Sequence, residues 1–531
     1  MDTSSKDPAA EPRPGRLRGA VGSALPKGKF GDHLAILSGT GQNIAGLAVF
    51  VSASLGTNII ISRAEGAGSL AVVTLATQLA FIGGAATRFG MDMAAVRLVA
   101  IDVGKGETGR VRGVVRRAAM IAAVVSVVVA IAIYAGAGEL VRTFARGGAV
   151  VAFQAAALAL PFVALCQVYL GGSRGLKIMR HTLYAYWIGQ PLSWMGLVIA
   201  GWIFEKLKDG QITVGFTVFA YALSWIFATL AAWFFWTRET RKFGRVPPEP
   251  GEVSSLVRYG APRAPAALLS QALFWTDFFV VARYVNKQEL GVYAAAVRVA
   301  QALVLFLIAV NYMFSPFVAD LHERGERDRL DGLYKALTRW TIAGTIPILL
   351  LMLVVPGPIL LIFGGNFASG TTALRILLIG QLINVAVGSV GFILIMVGRT
   401  GWDLAVYAGS FLLDLIVAFA LSPSLGTKGA AIAQAVTLAV SNATRLYLVW
   451  RYVHIQPFNK HYFRLAIPAG VTLGAMVLAH AVLSGKAWPV DLLGTGIVGL
   501  FVYVTMMLLA GLTPTERGAL MRLLGRGAPV T

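Results

Sequence analysis

The sequence predicts an all-α polytopic membrane protein of about fourteen transmembrane helices, with two pseudo-symmetric six-helix bundles and two extra C-terminal helices. Three observations predict it. Only 13% of residues are charged and 57% are hydrophobic, with a mean hydropathy of +0.71; a soluble domain carries roughly 25% charged residues. Apolar runs recur along the chain, such as MIAAVVSVVVAIAIY from Met120 and PILLLMLVVPGPILLIF from Pro347, and a helix needs about 20 such residues to cross the hydrocarbon. Finally, GETGRVRGVV from Gly106 recurs as GERDRLDGLY from Gly325, an offset of 219 residues.

The elements follow in order. Residues 1–30, rich in Pro, Gly, Arg and Lys, read as a basic cytoplasmic tail. The apolar stretch after it is too long for a signal-peptide core and reads as an uncleaved first span. Windows between charged or turn-rich breaks then give spans 38–62, 68–88, 118–136, 150–171, 183–203 and 213–236 in a first bundle, 31–245. A second bundle, 250–464, holds 262–282, 291–318, 340–363, 372–397, 402–421 and 429–450. Spans 463–483 and 491–511 belong to the C-terminal segment, 465–531.

Loop charge orients the spans. The side of the N-terminus carries 34 Lys and Arg, the opposite side 9, and three more (Arg298, Arg375, Arg445) fall within spans. Basic loops stay in the cytoplasm, so both termini are expected there, as an even number of spans also requires. The outer loops are all short.

The 219-residue offset holds elsewhere. Thr57-Asn58 falls on Thr276-Asp277, Val99-Ala100 on Val318-Ala319, Arg180 on Arg399, and Gly210 on Gly429. Six spans separate the copies, so matched elements share a side of the membrane and the repeat is parallel. Two such halves suit rocking about a central site.

The net charge of +21 follows from the basic cytoplasmic loops, and no nucleic-acid partner is expected. Those loops are also placed to touch anionic membrane lipids. A single cysteine, Cys166, excludes an intramolecular disulfide or a Cys-rich metal site. The chain has no G-x-x-x-x-G-K-[ST], no H-E-x-x-H and no outer loop large enough for a membrane glycan polymerase, so no cofactor, metal or enzymatic activity is expected.

Charges at membrane depth cost about 2.5–3.5 kcal/mol each on insertion scales and need a reason. Asp277 and Arg298 fall at similar depth on consecutive spans. Either they form a salt bridge, or Arg298 faces the cavity and binds an anion while Asp277 tunes it or exchanges a proton. Arg375 and Arg445 are near enough to span ends to snorkel and are also candidates for the anion site. Asp414, in the middle of span 11, is protonated and hydrogen-bonded or couples an ion. Arg63 reads as an ordinary interfacial residue. The amides Gln42, Asn43, Asn58, Gln301, Asn311, Gln381, Asn384 and Gln434 are individually interhelical glue and together suggest a wet interior.

The stretch WTDFFVVARYVNKQELGVYAAAVRVAQ, Trp275 to Gln301, resembles the hallmark of polysaccharide-transporter (Wzx-type) flippases in the multidrug/oligosaccharidyl-lipid/polysaccharide exporter superfamily. It has an Asp late in span 7 and a Gly-x-Tyr-x-x-Ala entry with an Arg in span 8, here Asp277, Gly291, Tyr293, Ala296 and Arg298. FGMDMAAVRLVA, SPFVADLHERGERDRLDGLYKAL and the LRILLIGQLIN…VGRTG run extend the resemblance over nearly the whole chain. It implies a bacterial inner-membrane flippase moving an undecaprenyl-pyrophosphate-linked oligosaccharide to the periplasmic leaflet, with polysaccharide polymerase or assembly proteins as partners; a monomer is the default expectation for a two-bundle transporter. It further implies Arg298, Arg375 and Arg445 on the pyrophosphate, Asp277 and Asp414 in ion coupling, and Asn43, Asn58, Gln301, Asn311, Gln381 and Asn384 lining the cavity. The rival readings are a lipid II flippase, a cation-coupled multidrug exporter and a non-transporting scaffold of a glycan-assembly complex. The exporter usually has twelve spans and an acid in span 1, where this chain has amides.

Overall fold

The computed structural model describes residues 29–144, 150–208, 213–244, 246–247, 251–261, 264–513 and 516–517; side chains of 29–45 and ten later positions (305, 306, 309, 312, 313, 315, 316, 319, 320 and 400) are not among them. Nearly all of the tail expected at 1–30 therefore lies outside the described residues. The N-terminal bundle comprises α1 (Lys29–Thr87), α2 (Met91–Gly104), α3 (Val111–Ala135), α4 (Ala137–Phe144), α5 (Val150–Gly175), α6 (Arg180–Thr182), a π-helical turn (Leu183–Gly189), α7 (Gln190–Leu207) and α8 (Val214–Thr240). Next comes a linker helix, α9 (Glu252–Gly260). The C-terminal bundle comprises α10 (Ala264–Ala272), α11 (Thr276–Val281), α12 (Lys287–Ala302), α13 (Leu305–Glu323), α14 (Arg327–Val354), α15 (Pro356–Leu360), α16 (Thr371–Ala386), α17 (Val390–Met396), α18 (Thr400–Leu425) and α19 (Thr427–Val453). The chain closes with α20 (Lys460–Phe463), α21 (Ala466–Leu483) and α22 (Trp488–Met506).

Ten helices among the described residues are long and apolar enough to cross a membrane. The sequence expects fourteen, and the difference has a physical source. Spans 1 and 2 form one helix bent at Gly66, whose φ of 83° only glycine adopts without strain. Spans 7 and 8 are each broken in two, at 273–275 and 303–304, and span 12 is the unbroken α19, too polar to be among the ten; span 10 is broken as well, at 387–389, though its first part is long enough to count. In span 10, Gly388 takes φ 66° and a Cβ there would meet Thr338 Oγ1 at 2.3 Å; Tyr334 donates to the freed Val387 carbonyl at 2.7 Å. Broken helices survive at membrane depth only where neighbours satisfy the freed backbone.

Both copies of the repeated stretch turn at a left-handed glycine, Gly106 with φ 81° and Gly325 with φ 72°. We call the membrane side holding these turns the basic side and the opposite one the far side. On the basic side α9 docks onto the N-terminal bundle. Arg117 Nη2 lies 2.5 Å from Glu252 Oε2, and the Gly90 and Gly260 backbones touch, since a Cβ on Gly90 would meet Gly260 O at 2.1 Å. The C-terminal pair docks on α14. Tyr503 donates to Ala343 O at 2.6 Å, and buried Arg339 bonds Glu516, the Gly511 carbonyl and, at 3.1 Å, the His461 carbonyl.

Candidate functional site

The two bundles meet face to face at their far-side ends. Ser62 donates to the Phe363 carbonyl at 2.8 Å, and Arg63 to the Ile362 and Leu361 carbonyls at 2.7 and 3.1 Å. Arg63, expected as an ordinary interfacial residue, thus ties one bundle to the other. A cavity of about 950 Å³ opens beside this contact, lined from both bundles by Ser62, Glu65, Ser69, Lys287, Asn366 and Ser369 among others. Glu65 Oε1 accepts from Thr217 at 2.7 Å.

Arg298 sits deeper, on α12. That helix starts at Asn286, whose Oδ1 accepts from the Glu289 N–H at 2.9 Å while its Nδ2 donates to Glu289 Oε1 at 2.7 Å, a reciprocal cap that fixes the register. One turn on, Gly291 allows α12 to press on the α1 backbone; a Cβ there would lie 1.8 Å from Ala67 O. Two further turns bring half-buried Arg298 across the bundle interface, where Nη2 reaches Thr74 Oγ1 at 3.4 Å and the guanidinium stands 5.4 Å from the centre of the Trp275 ring. Its buried Nε has no hydrogen-bond partner. No ion pair among the described residues joins it to Asp277, so of the two alternatives read from the sequence the salt bridge is not formed.

Asp277 instead points into its own bundle. It is fully buried, Tyr293 donates to its Oδ2 in a very short bond, and Oδ1 has no hydrogen-bond partner. The break between α10 and α11 allows this: it exposes the Phe274 carbonyl, which accepts from Gln434 at 3.4 Å, and turns the short α11 onto α18. There Asp277 stands beside Asp414, also fully buried, within reach of its charge. Thr437 donates to Asp414 Oδ1 at 3.3 Å, and Oδ2 is unpaired. Two carboxyl groups from helices far apart in sequence thus share one buried site. A ring chain joins them to the arginine: Trp275 meets Phe278 edge to face at 5.5 Å, and Phe278 stacks on Tyr293 at 6.2 Å.

The remaining expected residues disperse. Arg298, Arg375 and Arg445 do not form one anion site. Arg375 is exposed and donates to the Leu353 carbonyl at 3.4 Å. Arg445 is buried inside the C-terminal bundle, 3.6 Å from Asp403 Oδ1, 4.5 Å from the Tyr407 ring centre and 2.6 Å from Ser441 Oγ. Asn58 is buried and bonds its own helix at Ser54 O, 2.6 Å away; Asn311 is buried with an unpaired Oδ1, and Gln301 is half-buried. Asn384 donates to Gln381 Oε1 at 3.2 Å and accepts from Asn442 at 3.2 Å, a chain inside the C-terminal bundle. The side chain of Asn43 lies outside the described residues. Sequence reading missed Thr437, Asp403 and Ser441. The signal was present as the three- and four-residue spacing of polar groups along α18 and α19.

The chain is similar to known transporters. A sequence model of the MatE family matches residues 44–199 and again 262–420, more than half of the chain. The fold is similar to lipid II flippase MurJ in an inward closed conformation, with a TM-score of 0.67, 12% identity, and 93% of this chain and 99% of that one covered. It is also similar to an inward-facing multidrug resistance MATE family transporter of the MOP superfamily, with a TM-score of 0.64, 14% identity, and 79% and 98% covered. The probable low-salt glycan biosynthesis flippase Agl15 of Haloferax volcanii is 23% identical over 236 residues, which is 44% of this chain and half the length of that relative. With two bundles, broken spans and a family match in each bundle, the chain belongs to the MatE family of membrane transporters.

Proposed function

We propose that the protein flips an undecaprenyl-pyrophosphate-linked oligosaccharide from the cytoplasmic to the periplasmic leaflet of a bacterial inner membrane, for assembly of a surface polysaccharide. The observation that carries this reading is Arg298, a guanidinium at the bundle interface whose Nε–H has no hydrogen-bond partner and which pairs with no carboxylate among the described residues. Arginine matches phosphate oxygens with a planar fork of donors, and in a site shielded from water such charge-assisted bonds are stronger than neutral ones. The glycan would travel in the polar space between the bundles while the prenyl tail stays in lipid. Membership of the MatE family and the partial likeness to a glycan biosynthesis flippase support the reading.

In this reading the far-side contact of Ser62 and Arg63 is the closed gate, and the basic side is the cytoplasm, from which the substrate enters. Asp277 and Asp414 couple an ion to the motion by gaining and losing a proton. Pyrophosphate pulling on Arg298 shifts Trp275, and the stacked rings carry that shift to Tyr293 and its bond to Asp277. Substrate and proton are thereby linked through packed side chains.

The test is the leaflet position of the lipid-linked oligosaccharide in cells depleted of the protein. We expect accumulation in the cytoplasmic leaflet and loss of a surface polysaccharide, restored by the wild type and not by Arg298→Ala. Normal leaflet distribution with hypersensitivity to cationic drugs would overturn the flippase reading in favour of an exporter.

A further inference from the structure

The interface of α18 and α19 carries two facing polar stripes. Asp403, Tyr407, Ser410 and Asp414 repeat on α18 at spacings of four, three and four; Gln434, Thr437, Ser441 and Arg445 repeat on α19 at three, four and four. Such spacings put each set on one helix face. The helices run antiparallel, so Asp414 meets Thr437 near mid-depth and Asp403 meets Arg445 toward the basic side. All but Tyr407 are more than nine-tenths buried. Gly391 of α17 leaves room for the guanidinium, since a Cβ there would stand 3.4 Å from Arg445 Nε.

Two facts separate this seam from ordinary interhelical glue. Its charged groups are only partly satisfied: Asp277 Oδ1, Asp414 Oδ2 and Arg445 Nη2 are buried without hydrogen bonds, and Asp403 Oδ1 and Arg445 Nε meet only as an ion pair at 3.6 Å, whereas most buried polar groups are hydrogen-bonded. The fold also does not require it. At the 219-residue offset, the seam of the π-helical turn and α7 with α8 in the other bundle has Tyr184, Met195, Gly215, Val218, Ala222 and Ile226 where this one has Asp403, Asp414, Gln434, Thr437, Ser441 and Arg445.

We propose that this seam is the route by which the Asp277–Asp414 pair exchanges protons with the basic side, with Asp403 as its mouth and Arg445 as its filter. The proposal rests on the reading of that pair as the coupling site. A proton leaving Asp414 passes to the hydroxyls of Ser410 and Ser441, then to Asp403, and from there to water; each carrier gives up one proton as it takes the next, and no bond other than O–H changes. Asp414 and Ser410 stand about one helical turn apart and Ser410 and Asp403 about two, roughly 5 and 11 Å, with Ser441 of the facing helix between the latter; bridging waters would carry the proton over such gaps. Arg445 places a fixed positive charge across the route, which opposes a metal cation and leaves relay between oxygen atoms open to a proton. The groups facing the carriers are Tyr293, Asp277 and Thr437 around Asp414, and Arg445 and Tyr407 around Asp403. The coupling proton would thus cross inside one bundle while the substrate crosses between the two.

The experiment uses protons alone as the probe. The full chain is reconstituted in vesicles sorted for orientation, and the carboxyl infrared band is followed after a pH jump on one side. We expect a response to jumps on the basic side only, lost in Asp414→Asn and slowed at least tenfold in Asp403→Asn. A band that survives in Asp414→Asn overturns the coupling-pair reading and the route with it. A band lost there but answering at the wild-type rate in Asp403→Asn, or answering to the far side only, overturns the route and spares the pair. If Asp403→Asn does not reconstitute, Ser441→Ala removes one hydroxyl and no charge; severalfold slowing supports the route, and an unchanged rate overturns it.

Discussion

In the N-terminal bundle the buried hydroxyls of Thr57, Thr77 and Thr240 turn back to carbonyls four residues earlier on their own helices. In the C-terminal bundle Thr437, Asn442 and Gln434 reach other helices, and Asp277, Asp403, Asp414 and Arg445 are buried among them. The first bundle crosses with unbroken helices such as α3, α5 and α8, while the second breaks three of its spans. The two bundles thus pack similarly with and without charged groups at the seam between their fifth and sixth spans. Replacing buried ion pairs by apolar groups is often neutral or stabilising, so stability alone does not account for the charged seam.

That contrast can be broken at several points. The largest effect is expected for Arg298→Ala. Losing charge-assisted bonds worth about 1.5–3 kcal/mol should cut transport roughly ten- to hundredfold, read as lipid-linked oligosaccharide held in the cytoplasmic leaflet. Asp414→Asn comes next: net transport under an ion gradient should fall about tenfold, the scale of one lost charge-dependent step, while exchange without a gradient continues. Met195→Leu, at the matching place in the other bundle, should change neither. Equal losses for Asp414→Asn and Met195→Leu would erase the asymmetry.

Gly291→Ala sharpens the comparison where the bundles touch. Its Cβ would collide with the Ala67 carbonyl, and overpacking costs about 1–3 kcal/mol. Cross-linking of cysteines placed at 63 and 362 should drop severalfold, and an unchanged yield would show that the far-side contact does not depend on this approach. The smallest effect concerns the C-terminal pair. Burial alone would raise the Glu516 carboxyl, but the Thr513 N–H, the Trp340 indole and Arg339 outweigh it and hold it below its ordinary 4.5. A lowered carboxyl gives stability that is complete above 4.5 and lost as pH falls through the lowered value. Proteolysis after Gly511 should therefore speed up only on acidification below that range, and Glu516→Gln should remove the dependence.

Much of this was legible in the sequence. Composition fixed the class of solvent around the chain, and the repeat of Gly106 at Gly325 announced two bundles because a left-handed turn selects glycine. Burial of Asp277 and Asp414 could be expected from their apolar flanks. Their proximity could not, because it depends on the break at 273–275, and that stretch, Leu-Phe-Trp, contains no Pro or Gly to mark it. The same limit misdirected Arg445. Its distance from a span end suggested snorkelling, while its partner Asp403 lies 42 residues away on the neighbouring helix, in a register that loop length does not reveal.

Ser62 and Arg63 grip carbonyl oxygens, not side chains, of residues 361–363. A clasp of that kind has no memory of sequence on the segment it holds: half-buried Leu361 and Ile362 can drift to other residues with their oxygens still in place, while Phe363 is kept by the core its ring fills. It is, however, strict about length. One residue inserted or removed between Pro356 and Gly364 would rotate the three oxygens away together, so Leu361 and Ile362 should tolerate substitution far better than the segment tolerates a change in its count.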